Sequence, residues 1–310
     1  WQFATQGGDP KKFEPFEAGI RADAAKYESR LIETEPVHLD ALIAFADKAW
    51  RRPLKPAESH GIRTLYRKLR SDDMPHGETF RLTLARILTS PAFLFKAETP
   101  APGTKAAPVN AHELATRLSY FLWSSTPDAA LREAAASGAL LKDDELIVQT
   151  RRLLRDPRAR RLAIEFACQW LHLRGFDELD EKSERKFPEF AKLKGPMYEE
   201  TIRFFTDLIQ NDRSLLSILD ADHTFVNDTL AAHYGFVVAD EPNSKWRRVG
   251  GLRDKGRGGI LAQSSTLARQ SGASRTSPIL RGNWIVETLL GERLPRPPAD
   301  VPVLPDDPAG

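Results

Sequence analysis

The amino-acid sequence predicts an all-α protein of about ten helices in two or three packed helical units, with a short Gly-rich irregular or β segment near residues 246–275. Three observations carry this expectation. Apolar residues recur at three- and four-residue spacing in most windows from Pro36 onward. Prolines and capping residues punctuate those windows where helices should start and stop. Period-two alternation is confined to Trp246–Val249 and Gly259–Ala262.

Residues 1–35 read as the end of a preceding domain or a linker, with WQFATQGG as a strand end and Phe16 to Leu31 as a polar helix. From Pro36, Leu39, Leu42, Ile43 and Ala46 form a stripe that runs to Trp50 and stops at Pro53. Pro56 opens a second helix through Leu65 and Leu69, and a third runs from about Gly77 to Leu88, before Pro91. Residues 36–98 thus make one helical unit. Thr99 to Val109, rich in Pro, Ala and Gly, is a linker.

A helical domain follows over residues 108–236. Asn110 caps a helix with Leu114, Leu118, Phe121 and Leu122 on one face. Thr126 and Pro127 start another, a further helix runs from about Asp143 to Leu154, and Leu162, Ala163, Phe166, Ala167 and Trp170 form an apolar stripe after Pro157. Pro196 is expected to start the next helix, which puts Glu199 and Glu200 in the first turn, where the macrodipole favours acids. Short helices near Ser214–Leu219 and Phe225–Tyr234 come next, the latter ended by Gly235. The last unit, residues 246–294, is a Gly/Arg-rich segment plus a helix from Pro278 through Trp284 and Leu289. Residues 295–310 hold six prolines and read as an extended linker to further domains.

Composition bounds the function. Apolar residues at 41% supply a core, and a net charge of +2 makes any basic patch a local feature. No apolar run approaches the length of a membrane span. The chain begins at Trp1 without a charged n-region or apolar h-region, so it reads as an internal or processed piece whose targeting signal lies elsewhere. One cysteine, Cys168, rules out an internal disulfide and any Cys-based zinc or haem-attachment motif in these residues, and leaves the redox compartment open.

The densest chemical signal lies between Lys245 and Gly282, with nine Lys or Arg, one acid (Asp254) and seven of the 19 glycines. Glycine permits close backbone approach, and the basic side chains attract anions or acidic surfaces. Arg257, Arg275, Thr276, Ser277 and Arg281 are therefore the candidate residues for an acidic ligand or a protein partner, two arginines offering bidentate contacts near a helix start. The plainer reading is that Thr276 or Ser277 caps that helix while the arginines pair with neighbouring acids. A second candidate is an acid cluster of Glu200, Asp222 and His223, joined by Glu199 and Asp220, which would need to converge in space for acid–base or metal chemistry. The plainer reading makes Glu199 and Glu200 first-turn acids and Asp222 a turn residue.

The seven histidines show no metal-ligand spacing, and His172 in QWLHLRGF reads as a core or edge residue. Cys168, between Phe166 and Trp170, reads as an inert buried thiol. RRLLRDPRARR, residues 151–161, lacks aromatic interleaving, so nucleic acid is not an expected partner. The six tryptophans fall mostly in apolar stripes and read as core.

Several phrases resemble a known group. They are KAWRRPL (48–54), ILTSPAFLFKAE (87–98), LATRLSYFLWSSTPDAALRE (114–133), DHTFVNDTLAAHYGF (222–236), GGILAQSSTLA and RTSPILRGNWIVETLLG. Together they resemble the large planctomycete-type proteins built from domains of unknown function 1595, 1592 and 1588, over roughly residues 37–305. The resemblance implies export to the periplasm or beyond, other domains of the same polypeptide as partners, and haem c in domains outside these residues. It carries no established catalytic residue. Two readings follow: a helical scaffold and interaction region of a cytochrome c-associated protein, or a substrate-binding part of a periplasmic oxidoreductase or polysaccharide-processing enzyme. Membrane attachment through the basic segment ranks last, because that segment has no apolar helix face.

Overall fold

A computed structural model of the chain describes residues 14–98, 107–237 and 246–295. These residues are mostly helical, with one two-stranded antiparallel sheet. They form two compact units: the first comprises the described residues up to Tyr120 together with Ser125–Leu146, the second Phe121–Ser124 together with the described residues from Ile147 on. The strand-end reading of WQFATQGG, most of the first linker and nearly all of the Pro-rich tail lie outside the described residues.

The first unit is built on α1 (Glu14–Ala49), α2 (Pro56–Ser71), α3 (His76–Leu88) and the short α4 (Pro91–Leu94), followed by α5 (Ala111–Trp123), whose last three residues belong to the second unit, and α6 (Ala129–Ala136). Its core holds Leu39, Leu42, Ala46, Ile62, Tyr66 and Ile87. Pro36 does not begin a helix; it lies inside α1, which runs unbroken through residue 35. An interior proline costs on the order of 3 kcal/mol in lost hydrogen bonding and ring clash. Anchors on both sides hold the helix in place: Arg70 Nη2 lies 2.8 Å from Glu35 Oε1, and His38 Nδ1 lies 2.9 Å from His76 Nε2.

Arg51 joins two phrases of the sequence. It ends α1 at φ 62, an unfavourable left-handed conformation for a side-chain-bearing residue. Its buried guanidinium donates to the carbonyls of Ala49, Ala92, Phe93 and Phe95 at 2.8–3.2 Å, fastening KAWRRPL to the SPAFLFK turn. Beside it, Trp50 Nε1 donates to Ile87 O at 3.2 Å.

In the second unit, α7 (Asp143–Arg155) leads to α8, residues 160–170, whose middle turn Ala163–Ala167 is π-helical. The long α9 (Phe190–Gln210) follows, then α10 (Ser217–Asp220), β1 (His223–Val226), α11 (Asp228–Tyr234), β2 (Arg247–Gly250), α12 (Ser264–Arg269) and α13 (Pro278–Trp284), which continues into a π turn at Ile285–Leu289. β1 and β2 pair antiparallel with His223 opposite Gly250 and Val226 opposite Arg247. The core gathers Leu171, Leu173, Phe176, Phe204, Val226, Leu230 and Ile260, with Trp284 donating to Leu171 O. Cys168 is buried there, and desolvation pushes its thiol up to about 12.

Three expectations are corrected here. α9 starts at Phe190 rather than Pro196, so Glu199 and Glu200 sit mid-helix; burial of Leu193 and Met197 carries the helix through the proline. The expected helix from Phe225 starts at Asp228, because Asn227 caps Leu230 N and the preceding four residues pair with β2. The expected strand Gly259–Ala262 is a 3-10 turn. Gly259 adopts φ 56, and a Cβ there would overlap the Leu219 carbonyl and the Ile218 oxygen, so this backbone is pressed against another backbone instead of extending along one.

Candidate functional site

α9 supplies one wall of the site. Its apolar face places Leu193 and Met197 outward of a buried polar patch formed by Glu200 and Thr201. Glu200 is only 1% exposed. Its carboxyl accepts from Thr224 Oγ1 at 2.5 Å and from Tyr234 OH at 2.6 Å, and no cation lies in ion-pair range among the described residues. Desolvation dominates over these two hydroxyl donors and the Arg257 charge, raising Glu200 to about 7. Tyr234 OH in turn accepts from the Ser264 backbone N at 3.0 Å. One helical position on, Thr201 Oγ1 donates to Gln263 Oε1 at 2.7 Å and lies 2.7 Å from Ser265 Oγ. The polar run QSST, residues 263–266, is buried against α9, where Gln263 Oε1, Ser265 Oγ and Ser264 N find these partners and Thr266 Oγ1 has none.

Outside this network opens a cleft of about 580 Å³. Its apolar lining comes from Phe187, Phe190, Leu193, Met197 and Leu267, and its polar lining includes Tyr234, His233, Ser264, Ser271 and Thr276. Three cations line it, Lys182, Arg257 and Arg281, against one acid, the exposed Glu189. Lys182 Nζ is consumed by Ser271 O, Ser271 Oγ and Gly272 O at 2.8–3.1 Å. The two arginines are less engaged. Arg257 lies 4.0 Å from the centroid of the Tyr234 ring and donates to Ala262 O at 2.5 Å. Arg281 reaches Leu267 O at 3.5 Å, beyond good hydrogen-bond length, and its Nε is buried with no partner. Neither arginine has a carboxylate partner among the described residues.

Of the residues singled out in the basic segment, Arg257, Thr276 and Arg281 line this cleft. Ser277 does not; its hydroxyl accepts from Leu280 N and caps α13. Arg275 is exposed, with no hydrogen bond or ion pair among the described residues. The acid cluster does not assemble. Asp222 is exposed and accepts from Arg253 N in a turn, which lowers its carboxyl. His223 faces Asp207 at 3.3 Å, with burial and then Arg248 holding its imidazole below the ordinary range. Glu200 is left with Thr224 and Tyr234. His223 and Thr224 are successive residues of β1, whose side chains point to opposite faces, so neighbours in sequence part company here.

Tyr234, Thr224, His233 and Lys182 were not visible as site residues. Tyr234 and Thr224 belong to the phrase HTFVNDTLAAHYGF, and the uninterrupted polar QSST after ILA was a usable signal for a buried polar partner. Nothing in the sequence distinguishes Lys182. No group of three or more metal-ligating side chains occurs among the described residues. No helix among them is long and apolar enough to cross a membrane.

Comparison with known proteins gives three family matches. Residues 39–98 match the family described as protein of unknown function DUF1595, residues 109–236 match DUF1592, and residues 257–310 match DUF1588. No curated protein and no solved structure matches the chain. The DUF1592 span crosses from the first compact unit into the second, and the cleft takes Tyr234 from the DUF1592 span and Arg257, Ser264 and Arg281 from the DUF1588 span.

Proposed function

From the premise that this chain is a tandem of DUF1595, DUF1592 and DUF1588 domains, we propose that its second compact unit binds an organic anion in the cleft between α9 and residues 257–281. The observation that carries the reading is the pair of guanidinium groups, Arg257 and Arg281, set in a concave and largely apolar surface without carboxylate partners. Both guanidinium groups are partly exposed, and the Arg281 Nε donor with no partner is available for a charge-assisted contact that an anion would supply. The apolar wall of Phe187, Phe190, Leu193 and Met197 fits the carbon body of such a ligand. A carboxylate on an apolar or ring-containing body is the class that uses both halves of the lining.

The wider setting follows from the resemblance. We place the intact protein outside the cytoplasm, with haem c in other domains. Cys168 is this chain's one cysteine and it is buried in the core, so these residues do not fit thioether attachment of a haem. A scaffold role for the helical tandem is compatible with the anion site, since a binding module that positions neighbouring domains does both. The non-convergence of Glu200, Asp222 and His223 favours binding over hydrolysis at this site.

Isothermal titration calorimetry with benzoate, sulfate and a glucuronate tests the reading. Saturable binding that Arg257→Ala and Arg281→Ala each weaken about tenfold or more is the expected result, as for loss of a charge-assisted contact. Equal heats for wild type and both variants would remove the proposal.

A further inference from the structure

The cleft has a second titratable layer that the anion reading leaves unused. Glu200 stands directly behind Tyr234, whose hydroxyl it accepts from at 2.6 Å. The Tyr234 ring is covered on its other side by the Arg257 guanidinium, 4.0 Å from the centroid. His233, the neighbour of Tyr234 on α11, also lines the cleft. Burial and then the Arg257 charge hold its imidazole below the ordinary range. The charged groups facing this layer are therefore Arg257 from the loop after β2, Arg281 from α13, and Lys182 and Glu189 from the segment before and at the start of α9. Only Glu189 among them is acidic. Thr224 from β1 contributes a neutral hydroxyl.

Resting on the anion reading, we propose that an anion entering this cleft brings a proton with it, taken from solvent by Glu200 and His233, so that the site binds the ligand as a net acid. The physical argument is electrostatic. With the cleft empty, the Arg257 charge favours ionised Glu200 and neutral His233. A bound anion offsets that charge from the cleft side of Tyr234, so both groups shift toward their protonated forms. Glu200 has only two hydroxyl donors and no cation within ion-pair range, so Arg257 is the one charge holding its ionised form, and a change at Arg257 is felt through the low-dielectric core. The network tolerates the change. A protonated carboxyl still accepts from Thr224, and it can donate to Tyr234 once that hydroxyl rotates. By reciprocity, protonation of the two groups strengthens anion binding, so affinity rises as pH falls through neutrality.

Calorimetric titration of the full chain with benzoate near neutral pH, in PIPES, imidazole and Tris, measures the protons exchanged from the dependence of heat on buffer ionisation enthalpy. Benzoate itself stays ionised there. Net proton uptake is expected, with apparent affinity rising about threefold or more between about pH 8 and about pH 6. Glu200→Gln should remove the larger part of the uptake, and the Glu200→Gln, His233→Gln double variant all of it. Infrared difference spectra of the wild-type protein provide a second readout: benzoate should increase the band of a buried protonated carboxyl. Binding with no buffer dependence, or uptake that survives in the double variant, overturns the coupling while leaving the anion site intact. An absence of benzoate and sulfate binding at every pH overturns the anion site and the coupling together.

Discussion

Arg51 in the first unit is buried and Arg281 in the second is partly exposed, both without a carboxylate partner, and they end up in opposite roles. Arg51 is 6% exposed and donates to four backbone carbonyls, so its hydrogen-bonding capacity is spent inside the fold. Arg281 has one long contact to Leu267 O and a buried Nε with no partner, and it faces a cleft. A satisfied buried cation is a fastener; an unsatisfied one beside open space is a place for a ligand. The titratable clusters of the two units divide the same way. Tyr66, His76 and His38 form a chain through both nitrogens of His76, at 2.5 and 2.9 Å. Glu200 and Tyr234 form a similar chain, but Tyr234 is shared with the cleft.

The contrast can be broken most forcefully at Gly259. The second unit fastens its basic segment by the absence of a side chain there, and Gly259→Ala should cost above about 4 kcal/mol in urea unfolding, or prevent folding. A loss under 1 kcal/mol would mean that the backbone does not approach residues 218–219 as described. Arg51→Met comes next. It keeps the aliphatic stem but strands the carbonyls of residues 49, 92, 93 and 95, and is expected to cost about 3 kcal/mol, read as an earlier transition of the first unit.

The pH dependence of stability sharpens the comparison further. Glu200 titrates at about 7 in the folded protein against 4.5 for the ordinary carboxyl, so the folded state holds the extra proton in that window. Its contribution is full below about 4.5 and is lost as pH rises through about 7, up to roughly 3 kcal/mol. Glu200→Gln, neutral at all pH, should flatten that fall; an unchanged slope would show that Glu200 is ionised throughout. The smallest effect belongs to Arg281→Met. Because this guanidinium is scarcely bonded, stability should move by less than about 0.5 kcal/mol while benzoate binding weakens about tenfold or more. A large destabilisation would place Arg281 in the same class as Arg51.

Much of the architecture was legible because it rests on local chemistry. The stripe Leu39, Leu42, Ala46 is the core face of α1, and Val249 sits in the strand expected from alternation. Asn110 exchanges hydrogen bonds with Glu113 at the start of α5 as a cap does, and Gly235 ends α11 at positive φ. The failures are long-range. Pro196 looked like a helix start and Pro36 like the edge of a helical unit because their local cost is real, and tertiary anchors outweighed it. In the basic segment the residue types that attract anions were readable, but Arg257, Thr276 and Arg281 line the cleft while Arg275 and Ser277 do not.

The sequence by itself determined the helical class, the caps, the order of the three domains and the concentration of Gly and Arg between residues 245 and 282, since each depends on residues within a few positions of one another. Only the tertiary structure decided which arginines keep free donors, and that Glu200 on α9 meets Tyr234 on α11 and, through that phenol, the backbone of Ser264. Those contacts join positions 30 or more residues apart, and their energies come from desolvation and from hydrogen-bond partners that chain packing alone supplies.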